Sequence, residues 1–229
     1  MQASRDMIDP ALANAQHGFA ELSDYLSRLC DAQRADGHRS GSELPALLEA
    51  LARIRGGVSA ESVIDLAPRE LCAAALFDRV MFSDVRGSTW SPQALYARGS
   101  AGRVSRQLDG RIEALVVPLC SPLIEAEVVR RRLPVLVQNA QTEPRVCLPL
   151  IELTATTEYV VAPIVAGSSV MGLLHADTHI SGRSLSPVDR DLLRMFADSL
   201  GVIYEHASLA ERAERLRVTV GEVCDATVR

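Results

Sequence analysis

The sequence contains no lysine, because all 24 of its positively charged side chains are arginine. Schiff-base catalysis and the phosphate-binding loop both need a lysine ammonium group, so these two enzyme classes are excluded. Aromatic residues make up only 4% of the chain, and there is a single tryptophan. The formal net charge of −5 argues against a nucleic-acid-binding surface within these residues.

Cysteine pairs with redox or metal-binding spacing are also missing. The five cysteines form no C-x-x-C motif, and Cys72 lies in an apolar run where a free thiol packs as a small hydrophobe. Cys120 and Cys147 could form a redox pair if folding brought them together. Neither has a flanking lysine or histidine to lower its pKa. We interpret both as buried structural thiols.

Long apolar runs are absent, and none approaches the 18 residues of a membrane-spanning helix. The polar residues after Met1 do not resemble a signal peptide. Hydrophobic residues nevertheless make up 48% of the chain, which is enough to build a sizeable core. We expect a cytoplasmic protein with no membrane partner.

Helical periodicity dominates the N-terminal quarter. Residues 9–32 predict an amphipathic helix whose apolar positions alternate at spacings of three and four, the period of a coiled-coil seam. The dimerisation residues predicted there are Phe19, Leu22, Leu26 and Leu29. Residues 44–54 predict a second helix. Residues 59–77 predict a third, with Ser59 as N-cap and Pro68 expected to bend or divide it.

A long helix is predicted at the C-terminal end. Ser186 and Pro187 are typical of a helix start, and no proline follows up to Val228. Apolar residues recur at heptad spacing in its second half. The dimerisation residues predicted on this helix are Leu209, Leu216, Val220 and Val223.

Short strands are predicted between the helical regions, at residues 79–84, 91–97, 115–119 and 134–137. Helical spacing returns at 122–132 and at 148–153. The runs 159–165 and 170–177 are separated by Ala-Gly-Ser-Ser, a composition typical of a tight hairpin. Short connections favour an antiparallel sheet over a doubly wound parallel one.

Four of these segments, taken together, resemble the GAF domain family. Residues 158–177 are similar to its closing hairpin, with Ala-Pro-Ile in one strand and Gly-Leu-Leu in the next, and 186–197 to its capped terminal helix. Residues 132–140 resemble the strand after its central helix, and residues 79–84 resemble its opening strand. The hairpin with the downstream helix more narrowly resembles the sensor half of actinobacterial LuxR-type transcriptional regulators. The lysine-containing signature of cyclic-nucleotide GAF domains is absent.

The resemblance implies an α+β fold, a GAF-like antiparallel sheet with helices on both faces and long dimerisation helices at both ends. It implies an N-terminal helical segment over 1–57, a sensor domain over 58–205 and a signalling helix over 206–229. We expect a homodimer that binds a small hydrophobic effector. DNA would be bound only through an output domain outside this chain.

The predicted binding residues come from segments that surround the cavity in GAF-like folds, and they suit an apolar or aromatic effector with one or two polar contacts. They are Phe82, Trp90, Tyr96, Leu123, Val128, Val161, Leu173 and His175. The same residues could instead fill the core. His175, Asp177 and His179 would share a face if the strand continued, but we predict that it ends near Asp177, with no metal site and no cofactor.

The sequence contains no recognisable nucleophile elbow and no paired carboxylates, so it gives no indication of enzymatic chemistry. Arg130, Arg131 and Arg132 close a predicted helix, where positive charge complements the helix dipole. We therefore expect a ligand-responsive regulatory module of a transcriptional regulator and no enzyme. Two alternatives stay open: a constitutive dimerisation or protein-interaction module, and a thiol-dependent reductase.

Overall fold

The computed structural model describes residues 42–56, 59–99, 111–112 and 114–227, with side chains described as far as residue 219. The helix predicted over residues 9–32 lies outside the described residues. So do its predicted dimerisation residues Phe19, Leu22, Leu26 and Leu29.

Two helices precede the sheet: α1 spans Glu43–Arg55 and α2 spans Ala60–Ala73. Ser59 caps α2 through a capping box, in which Ser59 and Ser62 each accept the other's backbone N–H with a side-chain hydroxyl. The helix is not divided at Pro68, because the ring is buried and its packing offsets the loss of one backbone hydrogen bond.

Six strands form a single antiparallel sheet in the order β3-β2-β1-β6-β5-β4. The central strand β6 pairs with both β1 and β5, so the closing hairpin completes the sheet. The predicted antiparallel sheet is confirmed. The strands are β1 Arg79–Arg86, β2 Thr89–Ala97, β3 Val117–Pro118, β4 Val135–Val137, β5 Tyr159–Ala166 and β6 Ser169–Asp177.

Helices cover both faces of the sheet. On one face α2 packs on β1 and β2, while the long helix α5, Pro187–Thr227, packs on β5 and on α1 and α2. On the other face lie two short helices, α3 at Ile124–Arg131 and α4 at Leu148–Thr154. Because side chains alternate along a strand, each central strand contributes to two separate apolar cores.

Helix α5 lies directly on β5. A Cβ atom at Gly201 would lie only 2.0 Å from the Val165 carbonyl oxygen, so a side chain at this position would push the helix away. A second contact lies beside it, because the Gly167 N–H in the hairpin turn donates to Glu205 Oε2 at 3.2 Å. The closing hairpin and α5 are thus in intimate contact.

Glu43–Arg229 forms one compact unit, and α1 packs within it. The buried face of α1, which includes Leu47 and Ile54, packs on α2 and α5. The domain bounds 1–57, 58–205 and 206–229 stay a prediction. None of the helices in the described part of the chain is long and apolar enough to cross a membrane.

Candidate functional site

A small cavity lies between the sheet and the cover formed by α3 and α4. Its volume is about 40 Å³, which is room for a few water molecules. The wall contains both apolar and polar side chains. The apolar side chains are Met81, Leu95, Cys147, Leu150 and Ile151, and the polar ones are Arg79, Glu125, Thr154, Thr156, Tyr159, His175 and Asp177.

Glu125 is the least expected residue of this wall. It lies in the first turn of α3 and is only 1% exposed, although it carries a carboxylate. The backbone N–H groups at the start of a helix carry partial positive charge, which favours a carboxylate in the first turn. Ile124 and Val128 of the same helix are also buried, so α3 presents this face to the sheet.

Glu125 contacts two side chains of the sheet through one oxygen atom. The Tyr159 hydroxyl donates to Glu125 Oε1 at 3.0 Å, and His175 Nε2 lies 3.3 Å from the same atom. Burial, the negative charge of Glu125 and this hydrogen bond hold the pKa of the Tyr159 hydroxyl well above its usual value of 10. The tyrosine therefore acts as a neutral donor to the carboxylate.

His175 lies at the centre of the sheet, where β6 pairs with β1 and β5. Its Cα partners are Met81 on one side and Val161 on the other. The imidazole stacks on the Trp90 indole with 5.2 Å between ring centroids, and the Tyr159 ring lies at 5.8 Å. Aromatic packing and the contact with Glu125 together hold the ring in place.

Three buried polar atoms of this cluster have no hydrogen-bond partner among the described residues. They are Glu125 Oε2, His175 Nδ1 and Trp90 Nε1. A buried polar atom without a partner costs about 1–3 kcal/mol, so several in one place need an explanation. Glu125 and His175 both line the cavity, and a molecule inside it could satisfy their free atoms.

Arg79 and Asp177 form a second polar group in the cavity wall. The Arg79 guanidinium binds the Asp177 carboxylate, with Nη2 to Oδ2 at 2.6 Å, and both side chains are nearly buried. Arg79 also donates to the Thr154 carbonyl at 2.8 Å and to the Thr156 hydroxyl at 3.0 Å. The ion pair has no net charge, and its polar atoms have hydrogen-bond partners. It therefore forms a structural clasp that joins the ends of β1 and β6.

His179 lies beyond the end of the strand that contains His175 and Asp177. β6 stops at Asp177, whose carboxylate is engaged by Arg79 and also accepts the His179 N–H at 3.1 Å. Within the described residues, no three histidine, cysteine or acidic side chains are grouped closely enough to hold a metal ion.

The cysteines lie in different surroundings. Cys147 lines the cavity just before α4, and burial raises the pKa of its thiol. Burial likewise raises the pKa of Cys72 to about 12. Cys120, predicted to be buried, is exposed instead, because it follows the short strand β3 in a surface turn. Thiols with raised pKa are mostly protonated and are weak nucleophiles at neutral pH.

The structure distributes the eight predicted binding residues over three places. His175 lines the cavity, while Trp90, Val128, Val161 and Leu173 belong to the surrounding apolar cluster and Leu123 packs at its edge. Phe82 and Tyr96 lie outside that cluster. They neighbour Met81 and Leu95, which do belong to it, so strand alternation turns Phe82 and Tyr96 toward the α2 side.

The predicted C-terminal dimerisation residues divide at the limit of described side chains. Leu209 and Leu216 are 56% and 66% exposed on α5, and their role in dimerisation stays a prediction. Val220 and Val223 lie on the same helix, beyond the described side chains.

Sequence reasoning missed Glu125 and Tyr159 as site residues. Glu125 stands beside Glu127 at a helix start, where acidic residues are common for their interaction with the helix dipole. Tyr159 opens an apolar strand and could equally face either side of it. No local signal separates a buried carboxylate from a solvated one.

This chain belongs to the GAF domain family, whose members are generally small-molecule-sensing or regulatory domains. The family model, described as GAF domain, matches residues 59–204, more than half of the chain. No curated protein matches the sequence.

Solved structures with the same fold include proteins of different roles. The GAF domain of a phosphoenolpyruvate-protein phosphotransferase from Coxiella burnetii has a TM-score of 0.59 at 15% identity, covering 76% of this chain and 99% of that one. The phycocyanobilin-bound GAF domain of a cyanobacterial phytochrome has 0.56 at 19%, covering 75% and 98%. Free methionine-R-sulfoxide reductase from Neisseria meningitidis, in complex with its substrate, has 0.55 at 13%, covering 76% and 96%.

Proposed function

We propose that this chain is a ligand-sensing regulatory domain that binds a small effector in the cavity under α3 and α4. The observation that carries this proposal is the set of unpartnered atoms Glu125 Oε2 and His175 Nδ1 beside the cavity. Polar atoms buried without partners suit a pocket that a ligand completes. Apolar side chains of β1, β2 and α4 would hold the hydrophobic part of the effector.

The small volume of the cavity fits a pocket that opens with its ligand. An effector larger than a few waters needs α3 and α4 to move away from the sheet. Those two helices have only eight and seven residues, and neither contributes a strand to the sheet. Binding would then change how the hairpin bears on α5 through Gly201 and Glu205. An effector transmits a signal only if it binds the two states with different affinity.

We further propose that α5 carries the signal through a homodimer, as part of a cytoplasmic transcriptional regulator. The exposed Leu209 and Leu216 support the helical interface, since they lie seven residues apart on one face. The regulator context rests on the resemblance of the hairpin and α5 to LuxR-type sensor halves. DNA binding would belong to an output domain outside these residues.

A constitutive dimerisation module is the second candidate. It is favoured by the small volume of the cavity, since a core filled by its own side chains needs no ligand. We propose no catalytic activity, because the Cys147 thiol at the cavity has a raised pKa and Cys120 lies on the surface. Serine variants of both cysteines that leave every thiol-dependent activity unchanged would exclude the reductase alternative.

Native mass spectrometry of the purified protein, with a panel of hydrophobic metabolites, tests ligand sensing and stoichiometry together. We expect a dimer that retains or takes up one small molecule per chain. An Ile151→Phe variant should lose this binding, because the larger ring fills the cavity. Leu148→Phe on the exposed side of the same helix is the matched control. A protein that takes up no member of the panel would support the constitutive module.

A further inference from the structure

We infer that the effector carries a protonated nitrogen, such as a primary ammonium or an amidinium group, that binds the carboxylate of Glu125. The inference rests on the proposed function, because it names the chemical class of the molecule that the cavity accepts.

The carboxylate of Glu125 is buried without a full set of partners. Both of its known contacts are made to Oε1, and Oε2 has none. Removing a carboxylate from water is costly unless charge and hydrogen bonds compensate it. Tyr159 contributes a neutral hydroxyl, so it supplies a hydrogen bond and no charge.

Three arginines on the segments that surround the cavity pair with other carboxylates. Arg79 is engaged by Asp177, and Arg145 donates to Glu143 at 2.8 Å on the surface. On α3 itself, Arg131 pairs with Glu127 at 3.0 Å. Within the part of the chain that the structure describes, no arginine forms an ion pair with Glu125. With a neutral His175 imidazole at 3.3 Å from Glu125 Oε1, the unbalanced charge at the cavity is negative.

His175 restricts the ligand further. In the neutral imidazole, the contact with Glu125 places the proton on Nε2 and leaves Nδ1 as an acceptor. Glu125 Oε2 and His175 Nδ1 are then two acceptors without donors. An ammonium group offers three N–H donors and an amidinium four, whereas a hydroxyl offers only one. The Tyr159 ring, which also lines the cavity, attracts a cation as well.

The apolar side chains of the wall favour an effector whose remaining part is apolar. Met81, Leu95, Leu150 and Ile151 supply apolar side chains to the cavity wall. A short aliphatic or aromatic amine matches this combination of apolar side chains and one buried carboxylate, with its charged end at Glu125. Carboxylate ligands would place like charges together, which is strongly unfavourable in a buried site.

Three probes of nearly equal size separate charge from shape: n-butylammonium, 1-butanol and butyrate. Trp90 is the only tryptophan of the sequence and stacks on His175, so its fluorescence reports binding at this site. We expect the wild-type protein at pH 7 to bind n-butylammonium at least about tenfold more tightly than 1-butanol, and butyrate more weakly still.

Glu125→Gln removes the charge with little change of shape, and it should abolish the preference for n-butylammonium. Glu127→Gln on the same helix is the control and should retain it, because Glu127 pairs with Arg131 at the surface. If Glu125→Gln fails to fold, the order of the wild-type protein's affinities for the three probes still tests the inference.

Binding of 1-butanol or butyrate as tight as that of n-butylammonium would overturn the inference and leave the proposed ligand sensing standing. A preference that survives in Glu125→Gln would overturn it too. If neither these probes nor the hydrophobic panel bind, the proposed function fails and this inference falls with it.

Discussion

The Tyr159 hydroxyl donates to Glu125 Oε1 over 3.0 Å, and this contact joins the start of β5 to the first turn of α3. Both side chains are buried, so the cover helix and the sheet meet through a polar contact inside an otherwise apolar cluster. Such a contact fixes where α3 sits, since an apolar interface alone tolerates sliding.

Removing the tyrosine hydroxyl should destabilise the protein. We expect Tyr159→Phe to lower the free energy of unfolding by about 1–3 kcal/mol, because the buried carboxylate of Glu125 loses a donor. Urea denaturation followed by circular dichroism measures the change. Tyr204→Phe on α5 is the control, since Tyr204 is only partly buried and does not line the cavity. Equal stability of wild type and Tyr159→Phe would show that the contact contributes nothing.

Alkaline pH should weaken the fold through the same tyrosine. The pKa of Tyr159 is raised above 10, so its stabilising effect is complete below that pH and is lost as the pH rises toward the folded-state value. The Cys72 thiol, with a pKa of about 12, contributes to the loss from about pH 9. Unfolding free energies of wild type and Tyr159→Phe between pH 8 and about 11 isolate the tyrosine. The variant should show the shallower decline.

The Arg79 and Asp177 clasp should be sensitive to loss of one partner. Asp177→Asn leaves a nearly buried guanidinium without its counter-charge, and we expect a loss of about 3–5 kcal/mol. Glu214→Gln likewise replaces a carboxylate by an amide, in the exposed pair with Arg217, and should cost much less because water screens that pair. Thermal unfolding of the two variants compares them directly. Similar shifts in both would contradict the structural importance of the clasp.

The close packing of α5 on β5 depends on the absence of a side chain at Gly201. We expect Gly201→Ala to destabilise the protein by about 1–3 kcal/mol, because its Cβ would collide with the Val165 carbonyl. Gly56→Ala is the matched control, since the nearest atom to its added Cβ lies at 3.4 Å. The midpoints of denaturant-induced unfolding measure the loss of stability in both variants. A harmless Gly201→Ala would mean that α5 does not press on the hairpin.

The proposed dimer should depend on the apolar seam of α5. Replacing Leu209 and Leu216 together by glutamate places like charges in the interface, so we expect a monomer by light scattering after gel filtration. Arg212→Glu on the same helix is the control for added negative charge and should remain dimeric. A double variant that stays dimeric would locate the interface elsewhere.

Much of the fold could be predicted from the sequence because its signals are local. The hairpin of β5 and β6 follows from two apolar runs around a glycine turn, and the start of α2 follows from Ser59 and Ser62. The antiparallel sheet follows from short connections. The alternation along β1, by contrast, did not indicate which face Phe82 would take, since both faces of this sheet are covered.

The sequence by itself determined the order of the elements, the exclusion of lysine chemistry and the family of the domain. Only the tertiary structure decided the site. Glu125 and His175 are 50 residues apart, and they meet because α3 folds back over the centre of the sheet. Burial is a property of that packing, so a carboxylate that the sequence alone would place in solvent becomes a buried group in the cavity wall.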